Sequence, residues 1–135
     1  MLTKQKPRIG DKTDRSGGCK VFDDVSSSAL RVAVTGLSAR QNAIANNIAN
    51  VETPGFKARK VKFEEALQGA VAHGQSPLGV KPSVHTSLEP TRLNGNNVNL
   101  DEETLSHIDT TMRYQLTIRA IDGKYSLLRE AIKGA

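Results

Sequence analysis

Apolar residues recur at helical spacing near both ends of the chain, and the stretch between them shows no sustained period. In the N-terminal part the positions alternate spacings of four and three residues: Leu30, Val34, Leu37, Gln41, Ile44, Ile48 and Val51. This heptad pattern, with Gln41 as its polar member, predicts a helix that packs along its length against another helix. Ala29, Ala33 and Ala43 lie in the same segment and would let a second helix approach closely.

A second apolar pattern lies in the C-terminal part of the chain. It has an early stretch and a later one with the same four-and-three spacing: Leu105, Ile108 and Met112, then Tyr114, Ile118, Ile121, Tyr125, Leu128 and Ile132. Asn99 followed by Glu102 resembles a capping box, which marks a helix start. The acidic residues 101–103 and the basic Lys133 complement the dipole of a helix between them. We therefore predict a second helix over residues 99–133.

The first helix has a specific stop in the sequence Thr53-Pro54-Gly55-Phe56. Pro54 disfavours the helical conformation of the residue before it. Pro54 and Gly55 suit the two central positions of a type II turn, where glycine accepts a positive φ. We expect Phe56 to fold back onto the helix end, and we predict that the helix spans residues 26–53.

Three asparagines, Asn46, Asn47 and Asn50, lie just before this stop. Asparagine is a mediocre helix former, so their clustering near one helix end suggests a use beyond local stability. Side-chain amides both donate and accept hydrogen bonds. We therefore interpret these residues as candidates for polar contacts with another chain.

The segment between the predicted helices is irregular. Alternation over Lys60–Phe63 predicts a short extended piece, and residues 64–67 are predicted to form a helical turn. Residues 68–98 hold several glycines and prolines and predict a mobile connection, with at most a short β-hairpin near Asn94-Gly95. The predicted organisation has four parts: a polar, disordered extension over 1–25, a helix over 26–53, a turn, basic segment and irregular middle over 54–98, and a helix over 99–133.

These elements predict a mainly α fold in which two long terminal helices pair, parallel or antiparallel, in a coiled-coil-like arrangement. The chain has 135 residues, 37% of them hydrophobic, and no tryptophan, so we expect one domain with a small or elongated core. Two helices cover little of each other's surface. The alanine-rich back of the first helix therefore predicts further helices from other subunits.

The net charge, the cysteine count and the lack of long apolar stretches exclude only a few classes of protein. A net charge of +5 permits binding to nucleic acid or an acidic surface without demonstrating it. Cys19 is the only cysteine, which excludes an intramolecular disulfide and a thiolate-rich metal site. No stretch approaches the roughly 20 apolar residues of a membrane span. No apolar stretch follows the basic N-terminus, so we expect no cleavable secretory signal.

The sequence contains no catalytic, cofactor-binding or metal-binding motif. His73, His85 and His107 are scattered and lack the short spacings of metal ligands. We therefore predict no enzyme, no cofactor, no metal and no small-molecule substrate. The alternative is a small basic helical nucleic-acid-binding protein, whose phosphate-binding cluster would be flanked by two aromatic residues: Lys57, Arg59, Lys60 and Lys62, with Phe56 and Phe63.

Two parts of the chain resemble a known family. Residues 45–57 read Ala-Asn-Asn-Ile-Ala-Asn-Val-Glu-Thr-Pro-Gly-Phe-Lys and resemble the N-terminal signature of bacterial flagellar rod and hook proteins. Residues 96–103, 112–115 and 124–132 resemble the C-terminal part of the proximal rod proteins of that family. The short length of the chain agrees, because distal rod and hook proteins carry whole β domains between their terminal helices.

The resemblance covers residues 26–67 and 94–133 and departs from the family over residues 1–22, which include Cys19. It implies a structural, non-enzymatic subunit of the proximal rod of the flagellar basal body, needed for motility. It further implies export in an unfolded state through the flagellar type III apparatus, without a cleaved signal, to the periplasmic rod.

The implied partners are other rod subunits, basal-body proteins and the export apparatus, in a helical homo- and hetero-assembly without nucleic acid. The terminal helices would form the contacts. The candidate assembly-interface residues lie on both seams and at the helix stop: Leu37, Ile44, Asn46, Asn47, Ile48, Asn50, Thr53, Pro54, Gly55, Phe56, Tyr114, Ile118, Ile121, Tyr125, Leu128 and Ile132.

Overall fold

The computed structural model describes residues 24–134. Its elements, in chain order, are α1 (Val25–Ala49), β1 (Arg59–Lys62), α2 (Glu64–Ala72), a single 3-10 turn (Pro77–Gly79), β2 (Ser83–Thr86) and α3 (Leu100–Lys133). The predicted mainly α fold with two long terminal helices is confirmed, and the middle of the chain holds a short two-stranded antiparallel sheet. Cys19 and all but the last two residues of the predicted extension lie outside the described residues.

The two long helices run antiparallel. At one end, Lys124 Nζ lies 2.7 Å from Asp24 Oδ2, just before the start of α1. At the other end, Asn47 Nδ2 lies 2.9 Å from Glu103 Oε1, in the first turn of α3. Contacts that join the beginning of one helix to the end of the other settle the choice between parallel and antiparallel pairing that the heptad pattern left open.

The core is small, as the composition predicts. Its buried centre consists of Leu37 from α1, Val61 from β1 and Phe63, which precedes α2. Ala33 and Tyr114 are among the partly buried residues packed against it. Because few large side chains meet here, the fold depends on close backbone approach and on polar contacts as well as on apolar burial.

Close approach is most evident where α1 meets Phe63. A Cβ atom at Gly36 would lie 2.5 Å from Cγ of the Phe63 ring, so only glycine fits at this helix position. The guanidinium of Arg40 lies 5.2 Å from the centroid of the same ring and donates to the carbonyl of Val61 at 3.0 Å. It also bonds to Glu64 Oε2 at 2.7 Å. These contacts fix β1 and the start of α2 against α1.

Helix α1 ends at Ala49, with Asn50 as its C-cap, and so stops before the predicted boundary at Thr53. The predicted type II turn nevertheless forms. Gly55 has a φ of +71°, and the Phe56 N–H donates to the Thr53 carbonyl at 3.3 Å. Proline and glycine therefore shape the turn as predicted, while the last turn of the helix unwinds into it.

The middle of the chain holds more regular structure than the sequence predicts. Residues 68–98 contain the end of α2, the 3-10 turn and β2. Strand β2 pairs with β1 in antiparallel register, with Lys60 opposite His85, so the hairpin prediction at Asn94-Gly95 is wrong. The two strands lie far apart in sequence, which is why a short-range turn signal could not identify the pairing. Within residues 24–134, no helix is both long and apolar enough to cross a membrane.

Candidate assembly surface

The central asparagine of the predicted set, Asn47, is fully buried. Its Nδ2 donates to the Arg59 carbonyl and to Glu103 Oε1, each at 2.9 Å, and its Oδ1 accepts the Arg59 N–H at 2.9 Å. The amide therefore pairs with both backbone groups of a β1 residue, as a neighbouring strand would, and also joins α1 to α3. The structure gives Asn47 this internal role in place of the predicted contact with another chain.

Asn97, which sequence reasoning did not assign to the site, performs a similar role between the strands. Its Oδ1 accepts the Ala58 N–H at 2.7 Å, and its Nδ2 donates to the carbonyls of Ser87 and Glu89 at 3.1 and 3.3 Å. The Ser87 N–H reaches the Ala58 carbonyl at 2.7 Å. The Asn97 side chain thus bridges the two chain segments where β1 and β2 begin to separate.

Asn96 holds the loop after α1. Its Nδ2 donates to the carbonyls of Asn50 and Thr53 at 2.9 and 2.8 Å, and its Oδ1 accepts the Val98 N–H at 2.7 Å. Carbonyls at a helix C-terminus lack hydrogen-bond donors within the helix, and the side-chain amide of Asn96 provides such a donor here. The run of asparagines over residues 94–99 was the available sequence signal for these contacts.

An ion-pair network joins β1 to the start of α3. Lys60 Nζ bonds to Glu102 Oε1 at 2.6 Å and also to Glu89 Oε1. The hydrogen bonds that Lys60 donates to Glu102 and Glu89 raise the pKa of Lys60, and the same contact lowers the pKa of Glu89. Burial raises the pKa of the neighbouring Glu103. The predicted capping box does not form, because Glu102 serves this network and Asn99 accepts from the Asp101 N–H instead.

The surroundings of the basic cluster at residues 57–62 do not match those that the alternative function, nucleic-acid binding, requires. Lys60 is committed to two carboxylates, although the other three basic side chains are exposed. Phe63 lies in the core and Phe56 is half-buried. Base stacking on single strands needs exposed aromatic faces, and the buried Phe63 ring offers none.

The structure divides the predicted interface residues by exposure. Three are buried within the chain: Leu37, Ile44 and Asn47. Seven are half-buried: Ile48, Asn50, Phe56, Tyr114, Ile118, Ile121 and Leu128. Six are exposed: Asn46, Thr53, Pro54, Gly55, Tyr125 and Ile132. The four-and-three seams thus serve largely to pair α1 with α3, and the exposed members lie at the turn after α1 and towards the end of α3.

Helix α3 also carries a second apolar face, opposite the one that meets α1. Leu105, Ile108, Met112 and Leu116 are 69%, 52%, 56% and 63% exposed, and their spacing of three and four places them on one side of the helix. We call these four residues the outer face of α3. The early apolar stretch predicted from sequence contains the first three, although the predicted assembly interface does not include them.

An apolar groove runs between the three helices. Its lining includes Ala29 and Ala33 of α1, Leu67 and Val71 of α2, and Leu116 of α3, and its volume of about 650 Å³ is widely open to solvent. We call it the alanine groove. The small α1 side chains leave the space that larger residues would fill, so the groove is open to a further side chain.

The fold is therefore that of a helical protein whose long helices pair with each other and still expose apolar helix surface. A family model described as "Flagella basal body rod protein" matches residues 30–57, which cover most of α1 and the turn after it. The flagellar basal body rod protein FlgB of Bacillus subtilis (strain 168) is 30% identical over 120 residues, which are 78% of this chain and 91% of that protein.

Two further relatives carry the same description. FlgB of Escherichia coli (strain K12) is 29% identical over 124 residues, covering 75% of this chain and 90% of its own length. FlgB of Borrelia hermsii is 35% identical over 101 residues, covering 59% and 75% respectively. The chain belongs to the FlgB family of flagellar basal body rod proteins and is a structural rod component of the flagellum.

Proposed function

We propose that this chain is a non-enzymatic subunit of the proximal rod, and that the outer face of α3 packs against helices of neighbouring rod subunits. The observation that carries the proposal is the exposure of four large apolar side chains in a row on one helix, each more than half exposed. Isolated exposed leucines are ordinary, whereas a contiguous stripe marks an interaction surface.

The magnitude of apolar burial supports this use. Fully burying a leucine, isoleucine or methionine side chain contributes roughly 1.5–3 kcal/mol. The outer face spans about 16 Å of helix at about 1.5 Å per residue. A helix from another subunit could cover it by the same packing that joins α1 to α3 within the chain.

The exposed members of the predicted interface supply a second set of contacts. Thr53, Pro54 and Gly55 form the exposed turn after α1, and Asn46 lies one helical turn before the α1 terminus. We propose that this turn meets the next subunit. Asn96 bonds to the carbonyls of Asn50 and Thr53 and so holds the turn in place, but it does not cover the outer surface of the turn. Tyr125 and Ile132 would provide apolar contact at the other end of the molecule.

The proposed route to the rod is export in an unfolded state through the flagellar type III apparatus, without a cleaved signal, to the periplasm. A small core favours this route, since few buried apolar contacts must be broken before export. The asparagine contacts join residues far apart in sequence and would re-form once the chain reaches its partners.

Charged substitutions on the outer face test the proposal. We expect Ile108→Asp with Met112→Asp to abolish rod assembly and swimming, because both carboxylates would be desolvated at the contact. Ala66→Asp is the control, since Ala66 is exposed on α2 and does not belong to the outer face. Circular dichroism of the purified variants checks that both fold. Normal swimming in the double variant would contradict the proposal.

A further inference from the structure

The alanine groove extends to the start of α1, where the described part of the chain begins. An adjoining hollow lined by Asp24, Val25 and Ser26 continues it, and the two share four apolar residues: Ala29, Ala33, Leu67 and Val71. Val25 at this end and Val71 on the α2 wall are 45% and 44% exposed. The described residues therefore leave apolar surface uncovered along the whole groove.

The charged side chains at the edge of the groove are already paired within the chain. Glu64 bonds to Arg40 at 2.6 Å, and Arg113 bonds to Asp109 at 2.7 Å. At the far end, Asp24 Oδ2 bonds to Lys124 Nζ in the same way. The groove therefore offers apolar contact rather than an unpaired charge, and an apolar side chain is the occupant that fits it.

The chain supplies apolar side chains directly beside the open end of the groove. Residues 1–23 precede the described part and join it at Asp24, which itself lines the groove. Val21 and Phe22 are the only large apolar residues between Ile9 and Asp24. The predicted disordered extension owes its polar character to the residues before this pair, whereas phenylalanine is among the residues most often buried.

The apolar pair is within reach of the groove. An extended chain spans at most about 3.6 Å per residue, so the Cα of Phe22 lies within about 7 Å of that of Asp24. Ala29 lies about 7.5 Å along α1 from Asp24 at about 1.5 Å per residue. A chain that turns back at Asp24 can therefore place Phe22 over Ala29, where the small side chain leaves room for a ring.

We propose that Val21 and Phe22 fold back into the alanine groove of their own chain and cover it. Tethering favours this occupant over one from another chain, because a short connection gives an effective concentration of about millimolar. Only two or three residues beyond α1 must be ordered, which keeps the entropic cost low. The contact belongs to the single chain and does not depend on assembly into a rod.

A single introduced tryptophan tests whether the pair is buried. The chain has no tryptophan, so Phe22→Trp supplies the only one. In the purified full-length chain we expect quenching by acrylamide to be several-fold weaker than in urea. Val71→Asp should remove this protection by placing a charge in the groove, whereas Ala66→Asp, at an exposed α2 position outside the groove lining, should not.

Crosslinking from the native Cys19, three residues before Phe22, tests where the segment lies. Gln68 is exposed and lines the groove, so Gln68→Cys should form an intramolecular product with a short bismaleimide in dilute solution. Ala66→Cys is the matched control, about 200° around the same helix at about 3.6 residues per turn, and should react several-fold less. Val21→Ser with Phe22→Ser should lower the Gln68→Cys yield to that of the control.

Each measurement has results that would overturn the inference. These are a tryptophan as accessible in the folded chain as in urea, equal crosslinking yields at the two α2 positions, or a yield unchanged by loss of the apolar pair. Crosslinked dimers in place of the intramolecular product would assign the groove to a second copy and would overturn it as well. Circular dichroism of every variant checks that the helices remain folded.

Discussion

Substitution of Gly36 by alanine tests whether α1 and Phe63 are as closely packed as the structure requires. Alanine is favoured over glycine in a helix interior by ~1 kcal/mol. The added methyl group would lie 2.5 Å from Phe63 Cγ, and overpacking of this kind costs ~1–3 kcal/mol. The Phe63 ring cannot simply swing away, because Leu37 and Val61 pack around it and Arg40 lies over it.

Gly123 provides the matched control. It also lies inside a long helix, but a Cβ atom there would meet nothing within 4 Å. We therefore expect Gly123→Ala to stabilise the protein by ~1 kcal/mol through helix propensity alone. Gly36→Ala gains the same amount and loses ~1–3 kcal/mol to overpacking, so the two variants should differ by ~1–3 kcal/mol.

Urea unfolding followed by far-UV circular dichroism measures both free energies of unfolding. Repeating Gly36→Ala in a Phe63→Leu background completes a double-mutant cycle, in which the smaller side chain should relieve the clash and make the alanine favourable. The reasoning would be refuted if Gly36→Ala stabilised the parent protein as much as Gly123→Ala does, or if the cycle showed no coupling.

Two further variants test the polar contacts. Asn97→Ala should destabilise the protein far more than Asn46→Ala at an exposed helix position, because each buried backbone group left unpaired costs ~1–3 kcal/mol; equal unfolding midpoints in urea would contradict this. Glu103→Gln keeps an acceptor for Asn47 and should be more stable than the parent at neutral pH, because burial raises the pKa of Glu103 and so disfavours its charged form in the folded state. The difference in the free energy of unfolding between the two proteins should shrink as the pH falls through the raised pKa towards the ordinary glutamate range. A difference that widens on acidification, measured by urea titration, would contradict this prediction.

Elements governed by local chemistry could be predicted from the sequence. The two long helices follow from apolar period, and the turn at Pro54-Gly55 follows from the backbone preferences of those two residues. The predicted end of α1 at Thr53 was less accurate, because the last turn unwinds where Asn96 bonds to the Asn50 carbonyl. Local preference cannot anticipate a contact with a residue so distant in sequence.

The middle of the chain could not be predicted for the same reason. Strand β2 has no partner near it in sequence, and Asn97, which is also distant from β1, bonds to both chain segments at the point where the strands separate. The buried position of Asn47 could not be predicted, because the sequence does not show whether the amide of an asparagine bonds to solvent, to a partner chain or to the backbone of its own chain.

The outer face of α3 lay within reach of sequence reasoning. The spacing of Leu105, Ile108 and Met112 is visible in the sequence, and its extension to Leu116 separates this stripe from the one that meets α1. The alanine groove was only partly visible. The alanines of α1 predict that the back of this helix is covered. That α2 forms part of the covering could be seen only from the folded structure.

Localisation to the rod tests the central claim most directly. An epitope-tagged chain would be traced by immunoblot through detergent extraction of basal bodies from motile cells. The account predicts that the chain co-purifies with basal bodies and stays with them through washing at high salt, since apolar helix contacts are little affected by screening. Recovery of the chain only in the soluble fraction, while basal bodies carry complete rods without it, would contradict the claim.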